Sequence, residues 1–334
     1  MPIPFIIAGV AIVAGAYGAK KTYDAYEDND TANYYNERAK RIYDDAQSDL
    51  NAERKNTNTK MEELGALKLK IYQNNVKDFV DIFSLIRNID FEDKLDLGTG
   101  ILDSDFKNVL EIKKDVLKIS ELAGATTAAL SGGALAGLGA FGGAGLLATA
   151  STGTAIGTLS GVAATNATLA WFGGGSLAAG GFGMAGGMAV LGGIVAGPIL
   201  AIAGGIFAAK AETAKYESYA NYDRAKAYVE EMNTAQVVVE EIKERVIEFI
   251  TILKSLDGIF ENYLDKLENI VYKNKDYSTY TQEDNRIVMA TAGIASTVKN
   301  ICDAPIIDEN GKITRKSRMV LGNTKEFISK LEEI

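Results

Sequence analysis

The sequence predicts an all-α membrane protein in which long charged helices accompany a Gly/Ala-rich transmembrane hairpin segment, with a small C-terminal β-hairpin. Three observations favour this class. Residues 122–209 contain no Asp, Glu, Lys or Arg, so all 35 basic and 44 acidic residues lie in the rest of the chain. No proline lies between Pro4 and Pro198, which leaves helices free to run uninterrupted. Apolar residues in the charged parts recur at helical spacing.

The first region, residues 1–21, is predicted to be an N-terminal apolar helix. Phe5–Ala19 is uncharged, and Lys20 and Lys21 follow it, which is the reverse of the order in a secretory signal. The run is shorter than the roughly 20 residues that span a bilayer. We interpret it as a helix that touches the membrane or lines a bundle. The alternative is a buried helix end inside an oligomer.

Residues 22–121 form a charged helical region. One or two long helices are predicted from residue 20 to about residue 88, and the polar stretch Asn51–Thr59 is a point where they could loosen or break. Residues 96–100 have the composition of a loop, and a further helix is predicted over Ser104–Glu121.

Residues 122–209 form the third region, in which 24 glycines and 24 alanines make up 48 of 88 residues. Many glycines lie four residues apart, which places them on one helix face. In lipid, such faces let two helix backbones pack closely, so we interpret the region as a glycine-zipper membrane segment. The glycines expected to pack in this way are Gly133, Gly137, Gly139, Gly143, Gly153, Gly157, Gly161, Gly183, Gly187, Gly193 and Gly197.

Lysines flank both ends of this segment and predict its topology. They are Lys113, Lys114 and Lys118 before it, and Lys210 and Lys215 after it. Positively charged flanks favour the cytoplasmic side of a membrane, so both ends of the segment are expected to be cytoplasmic. An even number of spans then follows, in one hairpin or two.

The fourth region, residues 210–334, is predicted to be a helical sensor or oligomerisation region. Its apolar residues alternate at intervals of four and three over Ile242, Val246, Phe249, Leu253, Leu256, Phe260, Tyr263, Leu267 and Ile270. Such a heptad seam packs lengthwise on a partner helix, either within the chain or across copies. A weak echo relates Arg38-Ala39-Lys40 with Tyr43 to Arg224-Ala225-Lys226 with Tyr228, and the two segments could lie side by side.

Near the C-terminus, Asn310-Gly311 lies between short apolar runs and predicts a β-hairpin near residues 305–315. The cations Lys312, Arg315, Lys316 and Arg318 cluster beside it, and Tyr277 and Tyr280 lie upstream. Cations for phosphates and aromatic rings for bases suit an oligonucleotide ligand. The alternative is a solvated hairpin edge that charge protects from pairing.

Composition excludes several classes of protein. The chain has no histidine and one cysteine, which excludes Ser-His-Asp and Cys-His catalysis, histidine-ligated metals and cysteine-based zinc sites. A net charge of −9 argues against broad nucleic-acid binding. We therefore expect neither an enzyme nor a cofactor, and we expect Cys302 to be a small apolar residue at a helix end.

The stretch Leu169–Met188, LAWFGGGSLAAGGFGMAGGM, resembles the glycine-zipper signature of a broad group of bacterial membrane-acting proteins. Its position between long helical segments is similar to that in the channel effectors of the Hailong anti-phage system. This resemblance implies an oligomeric inner-membrane ion channel. It also implies a partner nucleotidyltransferase that makes an oligonucleotide signal to open the channel.

Three functional hypotheses follow from these patterns. The first is an oligomeric pore or ion channel that acts in anti-phage defence and that an oligonucleotide signal opens. The second is a non-conducting membrane scaffold or remodelling protein held together by the heptad seam. The third is a toxin that is soluble at rest, with its glycine helices covered by a helical sheath, and that inserts on activation.

Overall fold

The described part of the chain is helical, in agreement with the predicted all-α class. A computed structural model describes residues 18–89, 109, 111–116, 132–141, 214–308 and 312–331; for residues 18–29, 132–134, 137, 141, 214 and 215 it describes the backbone alone. Its elements are α1 (Gly18–Ile71), a π-helical turn (Tyr72–Val76), α2 (Lys77–Phe83), α3 (Gly132–Phe141), α4 (Ala214–Lys273), a 3-10 turn (Tyr277–Thr279), α5 (Gln282–Asp303) and α6 (Arg315–Leu331). Residues 111–116 are also helical.

Helix α1 continues through the polar stretch where a break was possible. Within Asn51–Thr59 and its flank, side chains bond one helical turn apart: Arg54 donates to Asn51 at 2.8 Å, and Asn58 donates to Glu62 at 2.7 Å. Pairs at this spacing support a helix whose residues have weak intrinsic helix propensity. The predicted loosening is therefore not seen.

The described residues divide into two compact units. Unit 1 lies within Met1–Lys55 and Ile194–Glu240, and unit 2 lies within Asn56–Gly193 and Glu241–Ile334.

In unit 1, α1 and α4 run parallel. Residue numbers of contacting side chains rise together: Tyr35 meets Tyr219 with ring centroids 4.5 Å apart, and Tyr43 meets Tyr228 at 6.4 Å. Leu50 then packs with Met232 and Val239 in a small buried core, which Tyr43 and Tyr228 border. The two echo segments thus lie side by side, with Ala39 and Ala225 both buried.

Unit 2 buries the heptad seam of α4 within the chain. Seven of its nine members are buried, from Ile242 to Leu267, whereas Tyr263 and Ile270 are half-exposed. Towards the end of α4 the buried positions move one residue on, to Leu264 and Val271. An α-helix has 3.6 residues per turn and drifts away from a strict seven-residue repeat, which explains the shift.

Helix α5 lies at the centre of unit 2, since every residue from 288 to 298 is buried. A capping box closes its N-terminus, with Thr281 accepting from the Asp284 amide. Its buried hydroxyls bond within the helix: Thr291 donates to the Ile287 carbonyl at 2.6 Å, and Thr297 donates to the Gly293 carbonyl at 2.8 Å. A helix covered on all sides can satisfy its polar groups in this way.

The predicted β-hairpin near residues 305–315 is not present as two strands in the described residues. Ile307 and Ile313 form one isolated antiparallel bridge, and the Thr314 amide donates to the Ile306 carbonyl at 2.8 Å. The Asn310-Gly311 tip lies outside the described residues. Thr314 instead caps α6, because its hydroxyl accepts the Ser317 amide at 3.0 Å, so the chain turns directly into a helix.

The predicted membrane segments lie mostly outside the described residues, which omit residues 1–17, 117–131 and 142–213. Where the structure does describe the chain, none of its helices combines the length and apolarity needed to cross a bilayer. Helix α3 is the described part of the charge-free segment.

The helical glycines Gly258 and Gly322 offer a test of packing, since a Cβ at either would meet no atom within 4 Å. We expect Gly258→Ala and Gly322→Ala each to raise the free energy of unfolding by up to about 1 kcal/mol, because alanine is the better helix former. Urea denaturation measures the change. A lower free energy of unfolding in either variant would contradict the open space beside these two glycines.

Candidate functional site

Helices α3 and α1 touch backbone to backbone through two glycines. A Cβ built at Gly139 would overlap the Met61 carbonyl of α1, and one built at Gly65 would overlap the Leu135 carbonyl of α3. Each helix therefore presents a glycine to the main chain of the other. Gly139 was expected to pack against another helix of its own segment in lipid, whereas here its neighbour is the charged helix α1.

A buried lysine secures the C-terminal end of α3. Lys68 of α1 is fully buried, and its ammonium group donates to the carbonyls of Leu138 at 3.2 Å and Gly139 at 3.1 Å. The last carbonyls of a helix have no partner within it and carry partial negative charge, so a cation is favourable there. We call Lys68 and these two carbonyls the Lys68 site.

Backbone groups complete the end of α3. The Ile306 amide donates to the Ala140 carbonyl at 2.7 Å, and the Ile307 amide approaches the same oxygen at 3.4 Å. The segment between α5 and α6 thus also contacts the end of α3. Three consecutive α3 carbonyls, at residues 138–140, accept hydrogen bonds from outside the helix.

Burial sets the protonation states around Lys68. It lowers the pKa of Lys68 to about 8, although the nearby carboxylate of Asp303 acts in the opposite direction. Burial raises the pKa of Cys302 to about 12 and that of Tyr72 well above its usual value. At neutral pH Lys68 is therefore a cation beside a neutral thiol and a neutral phenol. Cys302 is buried in the last turn of α5, as expected of a small apolar residue.

An ion-pair network connects residues 111–116 with α5. Lys299 contacts Asp115 at 2.5 Å and Asp303 at 2.7 Å, and all three side chains are largely shielded from solvent. Burial alone would lower the pKa of Lys299, but the hydrogen bonds that its ammonium donates to the two carboxylates outweigh burial, and the pKa is raised. Asp303 follows Cys302 in sequence, so the network borders the Lys68 site.

The contacts at the Lys68 site are suited to fixing the position of α3. The ammonium of Lys68 binds main-chain oxygens, and the nearby thiol is protonated. Among the described residues no group of three or more His, Cys, Asp or Glu side chains could hold a metal ion. What the arrangement controls is the position of α3.

The residues predicted to bind an oligonucleotide lie on different elements. Lys312, Arg315, Lys316 and Arg318 are exposed, and the last three lie in the first turn of α6. Tyr277 and Tyr280 lie in the turn between α4 and α5, with ring centroids 5.6 Å apart.

Tyr277 is buried, so its ring offers no exposed face for a base in this structure, and its predicted stacking role stays a prediction. Tyr280 is half-buried, and its hydroxyl donates to the Asn274 carbonyl at 2.7 Å. Of the predicted packing glycines, Gly133, Gly137 and Gly139 lie in α3, and those from Gly143 onward lie outside the described residues.

Sequence reasoning missed Gly65 and Lys68. Gly65 could have been identified as a single glycine inside a long predicted helix. Such a glycine lowers helix stability, so its presence indicates a close contact that needs it. Lys68 carries no such signal, because other lysines such as Lys70 lie close by in the same charged helix. The carbonyl partners of Lys68 lie 70 and 71 residues away in sequence.

Known families do not account for this chain. No protein-family model matches it, and neither a curated protein nor a solved structure matches it significantly. The resemblance of Leu169–Met188 to glycine-zipper effectors therefore stays a prediction from the motif.

Replacing the contact glycines tests the docking of α3. We expect Gly65→Ala and Gly139→Ala each to lower the free energy of unfolding by about 1–3 kcal/mol, because backbone atoms at the contact cannot rotate away. Urea denaturation gives the sign, and Gly258→Ala is the matched control with the opposite expected sign. Stabilisation by either contact variant would rule out the close approach.

The buried lysine predicts a pH dependence of stability. Its pKa is about 8 in the folded protein, against 10.5 for a lysine exposed to water. Between these pH values the unfolded chain binds a proton that the folded protein has lost, so raising the pH favours folding. We expect the stability of wild type relative to Lys68→Met to rise by on the order of 3 kcal/mol across this window.

Below pH 8 the same difference should be flat, since Lys68 is then protonated in both states. Denaturation at a series of pH values measures it. Taking the difference between the two proteins removes the opposing effect of Cys302 and Tyr72, whose raised pKa values lower stability at high pH in both. A difference that falls as pH rises towards 10 would contradict a buried, charged Lys68.

Proposed function

We propose that this protein is a membrane-permeabilising effector, an oligomeric pore or ion channel whose glycine-rich segment is held at its start by the helices of the same chain. One observation carries the proposal. Ten residues of the charge-free segment, α3, pack on the charged helix α1 through Gly65 and Gly139, with Lys68 bonded to the α3 carbonyls.

The composition of the segment supports insertion into lipid. Residues 122–209 lack charged side chains and carry glycines at four-residue spacing, which lets helices pack closely in a bilayer. One chain offers few spans, so a conducting path needs helices from several copies, and we propose a homo-oligomer. The resemblance of Leu169–Met188 suggests the bacterial inner membrane, and the lysine flanks favour a topology with both ends of the segment cytoplasmic.

The contact with α1 is of a kind that can be undone. Its polar part is small: two glycine–backbone approaches and the two Lys68 hydrogen bonds connect α3 to α1, while Ala136, Leu138 and Ala140 are buried. A helix of ten residues is too short to be stable alone in water, so α3 depends on this docking. Loss of the Lys68 bonds would free the start of the segment. This supports the hypothesis of a protein that covers part of its membrane segment until activation.

The biological setting rests on the motif. The resemblance to Hailong effectors suggests anti-phage defence and opening by an oligonucleotide from a partner nucleotidyltransferase. Four exposed cations at or just before the start of α6 are available to bind the phosphates of such an anion: Lys312, Arg315, Lys316 and Arg318. Tyr277 is buried and offers no exposed ring on which a base could stack.

Dye release from phospholipid vesicles tests the function and the role of Lys68 together. We expect purified wild-type protein to release dye slowly and Lys68→Met to release it several-fold faster, because the start of the segment is no longer held. The matched control is Lys254→Met, which removes an exposed lysine from a surface ion pair with Glu63.

The outcomes separate the hypotheses. Release at the same rate from wild type, Lys68→Met and Lys254→Met would favour a pore that Lys68 does not restrain. Vesicle binding without release by any of the three would instead favour a non-conducting scaffold and contradict the proposal.

A further inference from the structure

We propose that the solvent-facing side of α6 is a docking surface for an anionic phospholipid bilayer, on which Arg315, Arg318 and Lys325 contact the phosphate groups of the lipid headgroups. This inference rests on the proposed function, since it requires a bilayer beside the protein. It assigns the cations of α6 to lipid and not to a soluble oligonucleotide, and the test below distinguishes the two ligands.

Positive charge is concentrated at α6 in an otherwise acidic chain. Residues 312–325 contain five basic residues and no acidic residue, although the net charge of the chain is −9. All five are exposed: Lys312, Arg315, Lys316, Arg318 and Lys325. Within the described ranges, the ion pairs of α6 are confined to Lys330 with Glu326, at 3.1 Å. The five cations are therefore available to an anionic partner.

The packing of α6 turns three of these cations the same way. Arg315, Arg318 and Lys325 follow one another at intervals of three and seven residues, which places them on one helix face. The opposite face is buried in unit 2 and consists of Ser317, Leu321, Thr324, Phe327 and Leu331. Met319 lies one turn after Arg315 on the exposed side, with 55% of its surface exposed. Cations that attract headgroups and an apolar side chain that can enter them suit an anionic bilayer.

Hydrogen bonds place the start of α6 beside the point where the charge-free segment leaves α3. The Ala140 carbonyl accepts from the Ile306 amide at 2.7 Å, and the Ile306 carbonyl accepts from the Thr314 amide at 2.8 Å. Arg315 directly follows Thr314, and residues 142–209 directly follow α3. While α3 is docked, the α6 face thus holds the resting protein at the bilayer that the segment later enters.

Acidic residues flank this stretch without cancelling its charge. They are Asp308, Glu309, Glu326, Glu332 and Glu333. Asp308 accepts the main-chain amide of Lys312 at 2.9 Å, and Glu326 pairs with Lys330. Five basic residues and one acidic residue give α6 itself a net charge of +4. Because the Debye length is about 8 Å at physiological ionic strength, the cations at the headgroups decide the attraction more than the charge of distant residues does.

Flotation of the full chain with vesicles tests the face. The vesicles contain either phosphatidylcholine alone or phosphatidylcholine mixed with phosphatidylserine. The test variant combines three substitutions on the face: Arg315→Gln, Arg318→Gln and Lys325→Gln. The matched control removes the same charge from three exposed positions in and after the last turns of α4: Lys266→Gln, Lys273→Gln and Lys275→Gln.

We expect wild type and the control variant to bind the phosphatidylserine vesicles about tenfold or more tightly than phosphatidylcholine vesicles, because each Lys or Arg at the surface adds to the attraction. The test variant should lose most of this preference. About 1 M salt should abolish it in all three proteins, since the Debye length then falls to about 3 Å. Equal binding of the two lipids by wild type, or an unchanged preference in the test variant, would overturn the inference.

A fluorescent dye on α6 locates the contact. Met319→Cys supplies an exposed thiol for an environment-sensitive dye, whereas Cys302 is buried and stays unlabelled. Tyr272→Cys is the control, because Tyr272 is 66% exposed in the last turns of α4. We expect emission to shift to shorter wavelengths at position 319 on phosphatidylserine vesicles, and to stay unchanged at position 272.

A short soluble oligonucleotide without vesicles should leave the emission at position 319 unchanged. A shift with the oligonucleotide and none with the vesicles would overturn lipid docking in favour of a soluble ligand.

Release of a dye enclosed in the same vesicles keeps the two proposals apart. Release without any preference for phosphatidylserine would overturn the docking surface and leave the pore standing. A preference that depends on the three cations, without release, would support the docking surface and contradict the pore.

Discussion

The position of α3 in unit 2 depends on one buried ammonium group. A charged lysine away from water is costly unless its protons are bonded, and Lys68 donates to two carbonyls at the end of α3. Those carbonyls in turn lack partners within α3. Lysine and helix end satisfy each other, so the position of α3 on α1 follows from the need of both groups for a partner.

The glycines make this bond possible. Lys68 can reach the end of α3 only if the two helices approach closely, and side chains at Gly65 or Gly139 would hold them apart. The charge-free segment thus uses its glycines in water much as they are used in lipid, to bring two backbones together. The same composition can serve a docked and an inserted state, which is the physical basis of the proposed function.

Periodic features of the fold could be predicted from the sequence, and single contacts could not. The seam from Ile242 follows from spacing, because every repeat adds to the signal, whereas only a weak echo of a few residues suggested that the Arg38 and Arg224 segments lie side by side. Lys68 is one lysine in a charged helix, and only its partners in the folded chain distinguish it. The burial of Tyr277 could not be predicted for the related reason that the proximity of rings and cations in sequence says nothing about burial.

The most direct test of the central claim, that Lys68 holds the start of the glycine-rich segment, is amide hydrogen exchange of α3 without vesicles. We expect the amides of Leu135–Phe141 to be protected in wild type and to exchange about tenfold faster or more in Lys68→Met, the loss expected for charge-assisted hydrogen bonds. The amides of residues 288–298 in α5 should be unchanged. Equal protection of α3 in both proteins would contradict the claim.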